Sequence, residues 1–193
     1  MRVVAGELKG RRLVAPPGDA TRPTTDKVRE AIFNALGSLH VVRGAHALDL
    51  FAGTGALGLE ALSRGASHVT FVENRRPALR ALHDNIDSLG VADRITVYEA
   101  DASTPDQARL RQRRRPDRDG SADTGEESEL VFADPPYDFD RWDELFRSLA
   151  SLEPAPFVVA ESGDELDPPA PWSVIRSRRY GRTWVAFCIV EEN

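Results

Sequence analysis

The chain is short of cysteine, of long apolar runs and of histidines at ligand spacing, and each shortage removes a class of protein. One cysteine in 193 residues cannot close an internal disulfide. Cys188 stands in the apolar stretch 185–190, where a reduced, packed thiol is expected. No apolar stretch reaches the roughly 20 residues that a membrane-spanning helix needs. Met1-Arg2-Val3-Val4 lacks the apolar centre of a signal peptide, so a cytoplasmic location is expected and a membrane is not a partner. His40, His46, His68 and His83 show no spacing suited to a shared metal ion, and no metal site is expected. Overall positive charge is also missing, the net value being −6. That would argue against a polyanionic partner only if the charge were evenly spread.

It is not evenly spread. Residues 1–29 carry Arg2, Lys9, Arg11, Arg12, Arg22, Lys27 and Arg29 against Glu7, Asp19 and Asp26. Arg176, Arg178, Arg179 and Arg182 form a second basic cluster with no acid between them. Phosphates respond to local patches, so an acidic protein can hold RNA on a basic face. Residues 105–128 are biased differently: arginine-dense, then rich in Asp, Glu, Gly and Ser, and without the apolar residues to offset ordering entropy. A mobile insertion is expected there. The length suits one domain with a short appendage.

Residues 2–14 read as a basic hairpin around Lys9-Gly10. A helix should follow Arg22-Pro23-Thr24-Thr25-Asp26, with Val28, Ala31, Ile32, Ala35, Leu36 and Leu39 as its buried face and Arg29 pointing elsewhere. From about residue 45 the chain alternates strand and helix, which calls for a parallel sheet covered on both faces. Strands are expected near 46–51, 68–72, 94–98, 129–133 and 156–161, and helices near 56–64, 75–89 and 139–151. Asn74 and Pro77 form a candidate cap and first-turn pair for the second helix. Trp172–Tyr180 and Thr183–Val190, joined only by Gly181-Arg182, must run antiparallel.

Two motifs carry chemistry. Asp49-Leu50-Phe51-Ala52-Gly53-Thr54-Gly55-Ala56-Leu57-Gly58 takes an apolar strand through a glycine turn into a helix, whose first N–H groups are free for a ligand. The spacing Gly53-x-Gly55-x-x-Gly58 also fits dinucleotide binding. Asp49 favours a cationic ligand instead, because its carboxylate would oppose a pyrophosphate. The next strand ends in Glu73, placed to accept from a ribose, and the one after ends near Asp101, whose side chain and neighbouring backbone suit an adenine edge. The second motif, Asp134-Pro135-Pro136-Tyr137, ends the strand Leu130-Val131-Phe132-Ala133. Proline donates nothing to a ladder, so Asp134 and the Pro135 carbonyl face outward as acceptors beside the Tyr137 ring. Such a pocket suits an exocyclic amine on a planar base.

In this order the motifs resemble the class I S-adenosylmethionine-dependent amino-methyltransferases over roughly residues 45–190. The segments Arg2-Val3-Val4-Ala5-Gly6, Arg22-Pro23-Thr24 and Arg29-Glu30-Ala31-Ile32-Phe33-Asn34 look like the bacterial 16S ribosomal RNA guanine-N2 methyltransferases of the D type. The resemblance implies an α/β, Rossmann-like sheet, mostly parallel with a C-terminal antiparallel hairpin. It also implies an RNA-side extension over residues 1–40 and a methyltransferase domain over 41–193. The cofactor implied is S-adenosyl-L-methionine, held by Asp49, Phe51, Gly53, Thr54, Gly55, Gly58, Glu73, Asn74, Asp101, Ala102 and Asp134. Asp134, Pro135 and Tyr137 would serve catalysis. Arg2, Lys9, Arg11, Arg12, Arg22, Thr24 and Arg29 would face ribosomal RNA or the assembled small subunit, and the protein would act as a monomer. A DNA adenine or cytosine amino-methyltransferase, a protein glutamine N-methyltransferase and a non-catalytic RNA-binding module remain as alternatives. The absence of a separate target-recognition domain, the basic N-terminus, and an intact Asp134, Glu73 and glycine turn weigh against them in turn.

Overall fold

The computed structural model describes residues 1–16, 26–103 and 129–191. Arg22, Thr24 and the arginine-rich stretch 105–128 lie outside these. The described residues form α1 (Asp26–Ser38), β1 (His46–Leu50), α2 (Ala56–Ser63), β2 (His68–Glu73), α3 (Arg76–Leu89), β3 (Ile95–Glu99), β4 (Glu129–Ala133), α4 (Trp142–Ala150), β5 (Phe157–Ser162), β6 (Trp172–Tyr180) and β7 (Thr183–Val190). The strands make one seven-stranded sheet of order β3-β2-β1-β4-β5-β7-β6. Strands β1 to β5 run parallel, with α2, α3 and α4 as the described crossovers from β1 to β2, β2 to β3 and β4 to β5. β7 pairs antiparallel with both β5 and β6, closing the sheet with the expected hairpin.

Alternation of side chains divides the core into two layers. Ala47, Val69, Phe71, Leu130, Phe132 and Val159 meet α1, α2 and α3 on one face. Leu48, Leu50, Val131, Ala133, Val158 and Ala160 meet Leu145, Phe146 and Leu149 of α4 on the other. Each fully buried aliphatic side chain contributes about 1.5–3 kcal/mol of transfer free energy. Near-continuous apolar strands such as Leu130–Ala133 therefore sit at the sheet centre, not at its edges.

Three local expectations shift. The hairpin at residues 2–14 forms one ladder bridge, Arg2 with Arg12, its arms bonded from Val3 to Arg11 and Gly10 and from Leu13 to Met1, and it is also anchored on α2 and α3. The buried face of α1 is Arg29, Ile32, Phe33, Ala35 and Leu36, while Leu39 is exposed. Arg29 turns inward because a buried carboxylate waits there, as described below. At α3 the cap position is Arg75, not Asn74. The Glu73 carboxylate accepts the Asn74 and Arg75 N–H groups and makes a side-chain cap unnecessary.

Candidate active site

The carboxyl ends of β1, β2, β3 and β4 meet at one edge of the sheet, and there the two motifs come together. Leu50 of β1 pairs with Ala133 of β4 and with Val72 of β2, so one ladder fixes the glycine turn, Glu73 and Asp134 relative to each other. This is where strand order reverses, and where open α/β sheets place their ligands.

The turn begins at Phe51, which takes φ +60°, a conformation that costs a non-glycine residue about 1–3 kcal/mol. Its ring meets Phe139 edge-on with centroids 5.2 Å apart, so Phe51 ties the glycine turn to the loop following Tyr137. Gly53 and Gly55 follow at φ +56° and +79°. A side-chain carbon on Gly53 would meet only the Phe51 carbonyl at 3.9 Å, leaving space for a ligand against the backbone. Gly58 differs: a Cβ there would sit 2.4 Å from the Phe71 ring, so this glycine lets α2 lie close on β2.

Two acids brace the turn. Asp49 is buried, and its Oδ2 accepts the Gly58 N–H at 2.8 Å. Burial pushes its carboxyl well above the ordinary value of 3.8; the Gly58 bond opposes this, and the nearby charges of Asp134 and Glu73 reinforce it. Glu73, also buried, accepts the Gly53 N–H at 2.8 Å through one oxygen and the Asn74 and Arg75 N–H groups through the other. The second lone pair on the Gly53-bonded oxygen remains available to a ligand hydroxyl.

Asp101 is exposed and Ala102 buried behind it. Two hydrogen bonds from Ser103 hold Asp101 below 3.8, and the Arg141 guanidinium, 3.8 Å away, adds to this. Arg141 also donates to the Ser103 hydroxyl, an interaction that no motif announces. Asp134 is half-buried at the end of β4, Pro135 is buried, and Tyr137 projects with 58% of its surface exposed.

Sequence reasoning missed Asn85. It lies on α3, fully buried, and its amide accepts the Val14 N–H at 2.8 Å and donates to the Val14 carbonyl at 3.1 Å and the Thr54 carbonyl at 3.0 Å. One side chain thus pins the N-terminal segment to the glycine turn. A buried amide within an otherwise apolar helix face was the available signal.

The N-terminal basic residues divide. Arg2, Lys9, Arg11 and Arg12 are exposed on the segment that crosses α2 and α3, with Arg11 donating to the Ser88 carbonyl. Arg29 is fully buried and so does not face RNA. It donates to the Arg2 carbonyl, pairs with Asp26 at 2.7 Å and lies 3.6 Å from Glu60. Glu60, equally buried, accepts the Val4 N–H at 2.7 Å, the Ala5 N–H at 3.0 Å and Arg64 Nε at 2.7 Å. No helix among the described residues is long and apolar enough to cross a membrane.

The titrations have opposite signs. With its folded value raised above 3.8, Asp49 contributes stability at low pH and loses it as pH rises through that raised value. Asp101 contributes above 3.8 and loses its share as pH falls through its lowered value. Asp49→Asn keeps an acceptor for the Gly58 N–H and removes the titration. Thermal unfolding from acid to neutral pH should show the variant gaining on the wild type toward neutrality. A constant offset between the two curves would show that Asp49 does not titrate in this range.

A sheet of this order, with a glycine turn after β1, an acid ending β2 and Asp-Pro-Pro-Tyr ending β4, defines a class I methyltransferase fold. The chain belongs to the family described as conserved hypothetical protein 95, whose profile matches residues 1–189. It is 38% identical over 192 residues to YlbH of Bacillus subtilis, covering 96% of this chain and 97% of that protein. It is 33% identical over 188 residues to ribosomal RNA small subunit methyltransferase D of Escherichia coli K12, covering 94% and 86% respectively. The solved structure of the Escherichia coli protein YhhF matches with a TM-score of 0.77 at 33% identity, over 99% of this chain and 98% of that one.

Proposed function

We propose that this protein transfers a methyl group from S-adenosyl-L-methionine to the exocyclic N2 of a guanine in 16S ribosomal RNA, guanine 966 in the numbering of that RNA. The observation that carries the reading is the placement of Asp134-Pro135-Pro136-Tyr137 one strand from the glycine turn, in register through Leu50 and Ala133. The name and 33% identity of the Escherichia coli small subunit methyltransferase support it.

The residues fit the cofactor. Asp49, Glu73 and Asp134 lie near enough to one another to raise Asp49, a field that suits a cationic ligand and opposes a pyrophosphate. Glu73 and Asp101 would accept from its ribose and adenine, and the Gly53–Gly55 turn would carry the remainder. When bound, S-adenosylmethionine supplies a methyl group already activated by a sulfonium. Asp134 and the Pro135 carbonyl accept the two amine hydrogens, draw the nitrogen lone pair out of conjugation, and stabilise the positive charge that grows there. Tyr137 holds the base by stacking, which returns about 1–3 kcal/mol of the unstacking cost. Arg2, Lys9, Arg11 and Arg12 offer phosphate contacts from residues 1–40, read as a substrate-side extension of the domain at 41–193.

The test is a labelling experiment. Protein and methyl-labelled S-adenosylmethionine are incubated with small ribosomal subunits, free ribosomal RNA, DNA or total protein, and the labelled polymer is digested. N2-methylguanine from ribosomal RNA is expected. Label in DNA or protein, or calorimetric binding of NAD in place of S-adenosylmethionine, would overturn the reading.

A further inference from the structure

The antiparallel direction of β7 brings the β6–β7 turn, Gly181-Arg182, to the same end of the sheet as Asp134. There the Tyr137 hydroxyl and the Thr183 Oγ1 are hydrogen-bonded at 2.9 Å. Gly163, in the loop leaving β5, lies against the other part of the ring: a Cβ there would be 3.2 Å from Tyr137 Cδ1. A tyrosine with 58% of its surface exposed is thus held at its hydroxyl and packed beside Gly163. Arg178 and Arg182, on the hairpin that carries Thr183, are exposed, and among the described residues neither takes part in an ion pair. Arg179 stays close to the hairpin, 6.0 Å over the Trp184 ring and bonded to the Gly181 carbonyl.

We propose that the tip of the β6–β7 hairpin is part of the RNA site. Thr183 is a positioning residue that fixes the Tyr137 ring as a stacking platform, and Arg182 takes the phosphate of the nucleotide stacked there. This rests on the RNA methyltransferase reading given above and adds a second contact surface, remote in sequence from the basic N-terminus. A ring held in place before the base arrives loses less rotational freedom on stacking, so the benefit falls on RNA engagement and leaves the cofactor site unchanged.

The experiment compares wild type, Thr183→Val, Thr183→Ser, Tyr137→Phe, the Tyr137→Phe/Thr183→Val double variant and Arg182→Ala. The acceptor is small ribosomal subunits, with S-adenosylhomocysteine calorimetry on the same samples. Thr183→Val should raise KM for RNA by roughly three- to tenfold, the effect of one net hydrogen bond. Thr183→Ser should restore it, and the double variant should be no worse than either single one. Arg182→Ala should raise KM for RNA and flatten the slope of log affinity against log salt by about 0.7–0.9. Cofactor affinity should match wild type throughout. Unchanged KM and salt slope in an active background would remove the hairpin from the site, and so would strictly additive Tyr137 and Thr183 effects. A wild type that binds cofactor but methylates no RNA would instead remove the underlying reading, and the hairpin assignment with it.

Discussion

Asp134→Ala is expected to slow methyl transfer by about 100- to 1,000-fold, the usual effect of removing one preorganised group that meets transition-state charge. The variant should still bind S-adenosylmethionine, only modestly weakened by the loss of one of the three charges facing it, because the glycine turn is braced by Asp49 and Glu73. RNA affinity should fall much less than kcat if, as proposed, Asp134 acts mainly after the nitrogen begins to gain charge. A second readout follows from electrostatics: Asp134 is one of the charges that raise Asp49, so its removal should move Asp49 back toward 3.8. Carboxyl titration by NMR would follow that shift. Equal loss of turnover and cofactor binding would make Asp134 part of the cofactor pocket and remove it from the chemistry.

Glu60→Ala should lower the melting temperature strongly. The carboxylate is buried against Arg29 and Arg64 and accepts two backbone N–H groups of the N-terminal segment. Removing one partner of a buried ion pair costs about 3–5 kcal/mol, against a total stability of about 5–15. Glu60→Gln, which keeps an acceptor but not the charge, should fall between. Thermal melts and denaturant titrations measure both, and a Glu60→Ala melt within a few degrees of wild type would refute the assignment. Deleting residues 1–22 would strip the same carboxylate from the other side, so individual replacement of Lys9 and Arg12 by alanine tests the RNA arm more cleanly.

The sequence carried the sheet because strand and helix periods alternate cleanly after residue 45 and a two-residue link leaves the last strands no choice but to reverse. It carried both motifs because glycine and proline restrict the backbone in ways that can be read without a structure. Glu60 and Arg29 were not legible. Each is an ordinary surface residue by type, and only the packing of α1 and α2 against the N-terminal segment turns them into core. Asn85 and Thr183 were missed for a related reason: each bonds a group more than 30 positions away, and local patterns do not report such pairs. Phe51 illustrates the limit from another direction. Its place in the glycine motif announces neither its positive φ nor the edge-on contact of its ring with Phe139.

The anchoring of residues 1–8 on α2 also sets an order of events during synthesis. Val4 is bonded to a residue 56 positions later, and Ala5 to one 58 positions later. Glu7 pairs with Arg94, 87 positions on. Until α2 has been made, residues 1–8 therefore have only nearer partners, chiefly those within residues 1–14 such as the Arg2–Arg12 bridge, and the Glu7 contact must wait for the start of β3. Loop closure over such spans precedes these long-range contacts. The N-terminal segment is thus made first and seated late, onto a sheet whose first strands are already available to receive it.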